Sequence, residues 1–167
     1  MMANSPHSKA WWHGSLLAIL ASATLTPGAA PAAAWQDAPI TPGEWRWSNE
    51  AGASTARFGA TSTIVTLRCV VQPGWPQKGV SLQLTMPSLV RNGTSVAVTV
   101  TTTTMSRPLF ARMQIGTPLA VMLGANDPLL DAIAFSRGRF MIAAEGMAPL
   151  YLPAWPEVSR VVEDCRG

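Results

Sequence analysis

Two residue pairs in this chain have the types and spacing that chemistry needs. Asp127 and Asp131 stand four apart in DPLLDAIA, which puts both carboxylates on one face of a helix. Such a pair can share general acid and general base work or hold a cation. The structural alternative is that Asp127 caps the helix ahead of Pro128 while Asp131 pairs with an arginine. Cys69 and Cys165 are the only thiols. In an oxidising compartment they are expected to form one disulfide, worth roughly 4–5 kcal/mol for so long a loop in chain-entropy terms. Two buried free thiols, or half of a metal site, are the other readings.

Three further groups are candidates for binding. Trp75 sits in Gln72-Pro73-Gly74-Trp75-Pro76-Gln77-Lys78-Gly79. A large aromatic at a loop tip beside Lys78 suits a partner contact, although it can also fold back over the sheet edge. Arg137 and Arg139 flank Gly138 and can grip an anion with paired N–H groups. Their structural role would be to lock two helices through Asp131, Glu157, Glu163 or Asp164, with Asp131 and Asp164 preferred. Trp45 and Trp47 face the same way on a strand. Buried, they anchor a core; exposed, they make a platform for a sugar.

The N-terminal block narrows the chemistry. Residues 1–34 read as a secretory signal, with Lys9, the apolar stretch Ser15–Leu25 and small residues up to Ala34. The stretch is shorter than the roughly 18–20 apolar residues that span a bilayer. Cleavage after Ala34 removes both histidines, His7 and His13, and leaves Lys78 as the sole lysine. The exported chain then lacks the imidazole of a Ser-His-Asp or Cys-His site and of common zinc sites. No phosphate-binding glycine motif occurs, and no cofactor is expected. The net charge of the full chain is only +3, too weak for a nucleic-acid footprint.

The elements that must position these residues follow from periodicity. Residues 35–42 hold two prolines and read as a linker or docked arm. From residue 43 to about residue 123 the apolar period is two. Val65, Leu67, Cys69 and Val71 share one face, as do Val80, Leu82, Leu84 and Met86, and then Val96, Val98 and Val100. Asn92-Gly93 between the last two runs is a hairpin signal, since both residues accept positive φ. Strands that bury one face only belong to antiparallel sheets, and this many suggest a β-sandwich or a partly open barrel. Two short C-terminal helices follow. The first opens at Asp127-Pro128 with Leu129, Leu130, Ile133 and Ala134 on one face, and Gly138 stops the run. The second opens at Pro156, and Val158, Val161, Val162 and Cys165 form an inward stripe that carries the late cysteine toward Cys69. The 167 residues are 48% apolar and 13% charged, which fits one globular domain, residues 43–167, and excludes a disordered or coiled-coil chain.

The early WRW and TLRC, the SRGRF segment and LPAWPE…EDCR resemble small exported proteins of unknown function found in alphaproteobacteria. A looser resemblance is to exported β-rich domains of the invasion-associated locus B type. These resemblances imply a Gram-negative source and a periplasmic location, and they supply no catalytic residues. The expected function is a non-enzymatic binding or accessory module of the cell envelope, without a stable membrane anchor. It would engage an envelope protein or glycan through Trp75, Lys78, Arg137 and Arg139. The alternatives are an envelope inhibitor of a lysozyme or protease and, last, a hydrolase using Asp127 and Asp131.

Overall fold

The computed structural model describes residue 1 and residues 34–71, 78–86, 93–114 and 116–167. Residues 33–167 form one compact unit. Nine strands and two helices are described in it. They run β1 (Glu44–Glu50), β2 (Ala53–Gly59), β3 (Thr63–Val71), β4 (Lys78–Leu84), β5 (Ser95–Thr101), β6 (Ser106–Arg112), β7 (Leu119–Gly124), α1 (Pro128–Ala134), β8 (Arg139–Ala144), β9 (Leu150–Pro153) and α2 (Pro156–Arg166). One sheet has the order β1-β2-β3-β4-β7 and the other β6-β5-β8-β9. Every pairing is antiparallel. The sheets stay open, so the fold is a sandwich and not a barrel.

Alternation builds the core as elementary geometry requires, because successive side chains on a strand point to opposite faces. Ala56, Phe58, Val65, Leu67, Val80, Leu82 and Leu84 from the five-stranded sheet are buried with Val96, Val98, Val100, Phe140, Ile142 and Leu152 from the other. Trp45 lies between the sheets at 4% exposure, 5.3 Å from Phe58 and 6.5 Å from Phe140 by ring centroid. Its indole N–H donates to the Pro153 carbonyl at 2.8 Å, so the one polar atom of this anchor is satisfied.

Two strand-level expectations change. Asn92-Gly93 does not close a hairpin between β4 and β5, because those strands lie in different sheets. Asn92 is outside the described residues; Gly93, at φ +79°, donates its N–H to Met113 and so extends the β5–β6 pairing. The chain crosses between layers here because both strands need an apolar face on the same core. Val71 leaves the buried stripe of β3 and is 72% exposed. It pairs with Lys78 at the far end of the sheet, where β2 no longer accompanies β3. Thr102–Thr104 form the turn between β5 and β6. Thr102 is buried, and its hydroxyl accepts from the N–H groups of Thr104 and Met105.

The arm of residues 35–42 is tied to the second sheet. Arg139 donates to the Ala38 carbonyl, Thr41 N–H donates to the Tyr151 carbonyl, and Tyr151 N–H donates to the Thr41 hydroxyl. Tyr151 lies on β9, which is an edge strand, so the arm covers backbone groups that would otherwise be an open template.

Candidate functional site

The pairing of β2 with β3 begins at Thr55–Arg68 and runs toward Gly59 and Thr63. Beyond it, among the described residues, Ala53 and Ser54 pair only with β1, and Cys69–Val71 pair only with β4. The two hairpins therefore part at this end of the sheet. Helix α2 packs against the inner face of the same four strands, held there by the Cys69–Cys165 disulfide with a Cα–Cα separation of 5.3 Å. Val158, Val161, Val162 and Cys165 are its buried residues, the stripe that the i, i+3, i+4, i+7 spacing predicts. Between the parted strands and the last turns of α2 lies a cleft of about 750 Å³. That volume is within the range of ligand-binding pockets.

A closed polar chain forms one wall. The Trp47 indole N–H donates to the Ser54 hydroxyl at 2.8 Å, and that hydroxyl donates to Asp164 at 2.6 Å. Because an indole N–H can only donate, the Ser54 proton must point at the carboxylate. Arg160 lies over the Trp47 ring at 3.6 Å from its centroid, with Nε 3.9 Å from the same Asp164. Arg160 and Asp164 are one helical turn apart, which lets them bracket the indole together. Trp47 is thus half-buried and faced by a guanidinium, not left open as a sugar platform.

Arg68 and Lys78 line the other side. Arg68 belongs to the outer face of the sheet with Arg46 and Arg57. Arg46 is held by Glu44, and Arg57 grips both oxygens of Glu50 at 2.6 Å. The Arg57 guanidinium and the Ser48 hydroxyl hold the Glu50 carboxyl below the usual carboxylate range, with a smaller contribution from the charge of Arg68. Arg68 itself stands between Thr55 and Ser81, both buried, in one cross-strand row. Its Nε is buried and has no hydrogen-bond partner among the described residues.

The residues singled out from the sequence are dispersed. Trp75 lies outside the described residues. Lys78 borders the cleft. Arg137 sits on the turn after α1, where its backbone N–H donates to the Thr103 hydroxyl. Arg139 serves the arm at Ala38. Neither arginine takes the preferred partners Asp131 or Asp164. Asp131 belongs to Arg166 at 2.8 Å, and Asp164 to Ser54 and Arg160. The last turn of α2 meets α1, where Arg166 holds Asp131 and donates to the Ala125 carbonyl.

Asp127 and Asp131 are each engaged by a different cation. Asp127 accepts from Leu129 N–H at 2.8 Å as the cap of α1 and from Arg107 at 2.8 Å. Burial pushes the Asp127 carboxyl up, but Arg107 and the Leu129 N–H outweigh it and hold it below its ordinary value. A carboxyl so held stays ionised and is a poor proton donor.

Ser54, Arg68, Arg160 and Asp164 are the site residues that sequence reasoning missed. Arg160 and Asp164 carried a signal in their four-residue spacing, and Arg68 in its place on the polar face of a strand. Ser54 carried none. Comparison of the chain with family models, curated proteins and solved structures finds no match.

Proposed function

We propose that this chain is an exported, non-enzymatic binding module of the Gram-negative cell envelope, matured by removal of residues 1–34 and taking its ligand in the cleft between β2, β3 and α2. The observation that carries this reading is the cleft. Strand pairing stops short there, and the wall that results is lined by fixed polar side chains. A disulfide across the fold supports the periplasm as its compartment, since such bonds persist where the milieu is oxidising. Among the described residues no helix is long and apolar enough to cross a membrane, which accords with release from the inner membrane after processing. The carboxylates best placed by sequence for hydrolysis, Asp127 and Asp131, are spent on a helix cap and two ion pairs.

The test is capture. The processed protein is passed over immobilised peptidoglycan, lipopolysaccharide and soluble envelope extract, beside Asn49→Trp, which places an indole at the exposed rim of the cleft. Retention on one of these matrices, lost in Asn49→Trp while its melting temperature is kept, is the expected result. Equal retention by both proteins, or retention by neither, overturns the cleft as the binding site. Suppression of lysozyme or protease activity by both proteins would replace this reading with that of an inhibitor.

A further inference from the structure

We infer that the cleft recognises an extended peptide through a carboxylate seated on Arg68. The inference rests on the binding role proposed for that cleft and names its ligand class. Of the three arginines on the outer face of the sheet, Arg46 and Arg57 have carboxylate partners and Arg68 has none among the described residues. Its Nε–H is buried without an acceptor. Leaving such a donor unpaired costs stability, and more so when the group is charged. The rest of the guanidinium lines the cleft, and its planar fork matches a carboxylate in shape. Lys78 lines the same cleft and adds a second cation without an ion pair among the described residues.

The peptide backbone has a place to go. Among the described residues, Ala53 and Ser54 on one side and Cys69–Val71 on the other are strand segments without a neighbour across the split. Strand edges of this kind recognise extended chains by main-chain hydrogen bonding, with side chains of the guest sorted by flanking pockets. A sugar finds less. Trp47, an aromatic of the cleft wall, already carries Arg160 on its ring. The carboxylate of Asp164 is occupied by Ser54 and Arg160, so it does not cancel Arg68.

The probe is a pool of short peptides with Glu at the central position, set against the same pool with Gln, and bound to the processed protein with Trp fluorescence as the readout. The Glu pool is expected to bind at least tenfold more tightly, and the preference to shrink as salt is raised. Arg68→Gln should abolish the preference, and Arg57→Gln, which touches the paired arginine outside the cleft, should leave it intact. Arg68→Met should lose binding while melting no lower than the parent, because it deletes the unpaired donor and keeps the stem. Indifference to Glu versus Gln, or a preference that survives Arg68→Gln, overturns the inference. So does a melting temperature of Arg68→Met well below the parent, which would mark a structural arginine. Capture on envelope material that Asn49→Trp abolishes but Arg68→Gln spares would sink the peptide carboxylate and leave the binding module standing.

Discussion

The two helices of this domain begin alike and are held by different forces. Each has Pro at its first turn, at Pro128 and at Pro156. In α1 the preceding residue, Asp127, supplies a carboxylate to the Leu129 N–H, so the helix start is encoded within three residues. In α2 the preceding residue is Trp155, which offers no side-chain cap. Its valine stripe and Cys165 instead fasten it to strands distant in sequence. The short helix with a local cap contributes no residue to the cleft. The longer helix, fastened only by tertiary contacts, forms the cleft wall. A binding wall needs its position fixed relative to the sheet, and a cap cannot provide that, whereas a covalent bond across the layers can.

Breaking that bond is the strongest test of the contrast. Cys69→Ala with Cys165→Ala is expected to cost roughly 4–5 kcal/mol on the chain-entropy estimate. At about 3–5 °C per kcal/mol for a domain of this size, the melting temperature should fall by well over 10 °C. The same reagent that reduces the parent should bring it to the same value. A fall of only a few degrees would mean that the valine stripe alone holds α2, and the comparison would lose its main difference.

The α2 stripe and its cysteine were legible because a period of 3.6 with four buried positions is a strong local signal, and one thiol on that stripe points at the only other thiol. The strands carrying Val65–Val71, Val80–Met86 and Val96–Val100 were legible for the same reason at a period of two. What was not legible is where one strand stops keeping company with another. Val71 continues the alternation of β3 by sequence, yet β2 has already turned away at Thr55, and the cleft is the consequence. Nothing in Ala53-Ser54 announces that departure. Nor does periodicity say which sheet a strand joins, so Asn92-Gly93 suggested a hairpin where the chain changes layers. The arginine partners failed for a related reason. Arg137 and Arg139 are near the helices in sequence, but the packing of α1 against α2 brings Arg166 to Asp131 instead.

The cap of α1 gives the next effect in size. Asp127→Ala removes an N-cap and leaves Arg107 without its carboxylate, for an expected loss of about 1–2 kcal/mol. Asp127→Asn separates the two roles, since Asn caps nearly as well but carries no charge. The Asp127 carboxyl is held below its unfolded value, so its ionised form favours the folded chain. That contribution is complete above the unfolded carboxyl range, near pH 4. It declines as pH falls through the lowered folded value. Thermal melts of the parent and Asp127→Asn should therefore differ by a constant amount at neutral pH and converge in acid. A gap that widened in acid would mean that the carboxyl favours the folded state when protonated.

The smallest effect is expected where the two helices meet directly. Arg166 and Asp131 form an ion pair at 2.8 Å, but the side chains are 32% and 47% exposed. Water and salt reach both, and pairs of this kind are typically worth about 0–1 kcal/mol. Arg166 also donates from Nε to the Ala125 carbonyl, so Arg166→Ala alone would overstate the pair. A double-mutant cycle of Arg166→Gln and Asp131→Asn isolates the coupling. It should come to a few tenths of a kcal/mol at low salt and vanish at high salt, with unchanged ligand capture in every variant. If the coupling exceeded roughly 1 kcal/mol and persisted in salt, the helices would be locked to each other as firmly as an ion pair allows. The position of the cleft wall would then depend on the capped helix as well as on the stapled one. The contrast between them would turn into cooperation, with Asp127 acting on the cleft through α1.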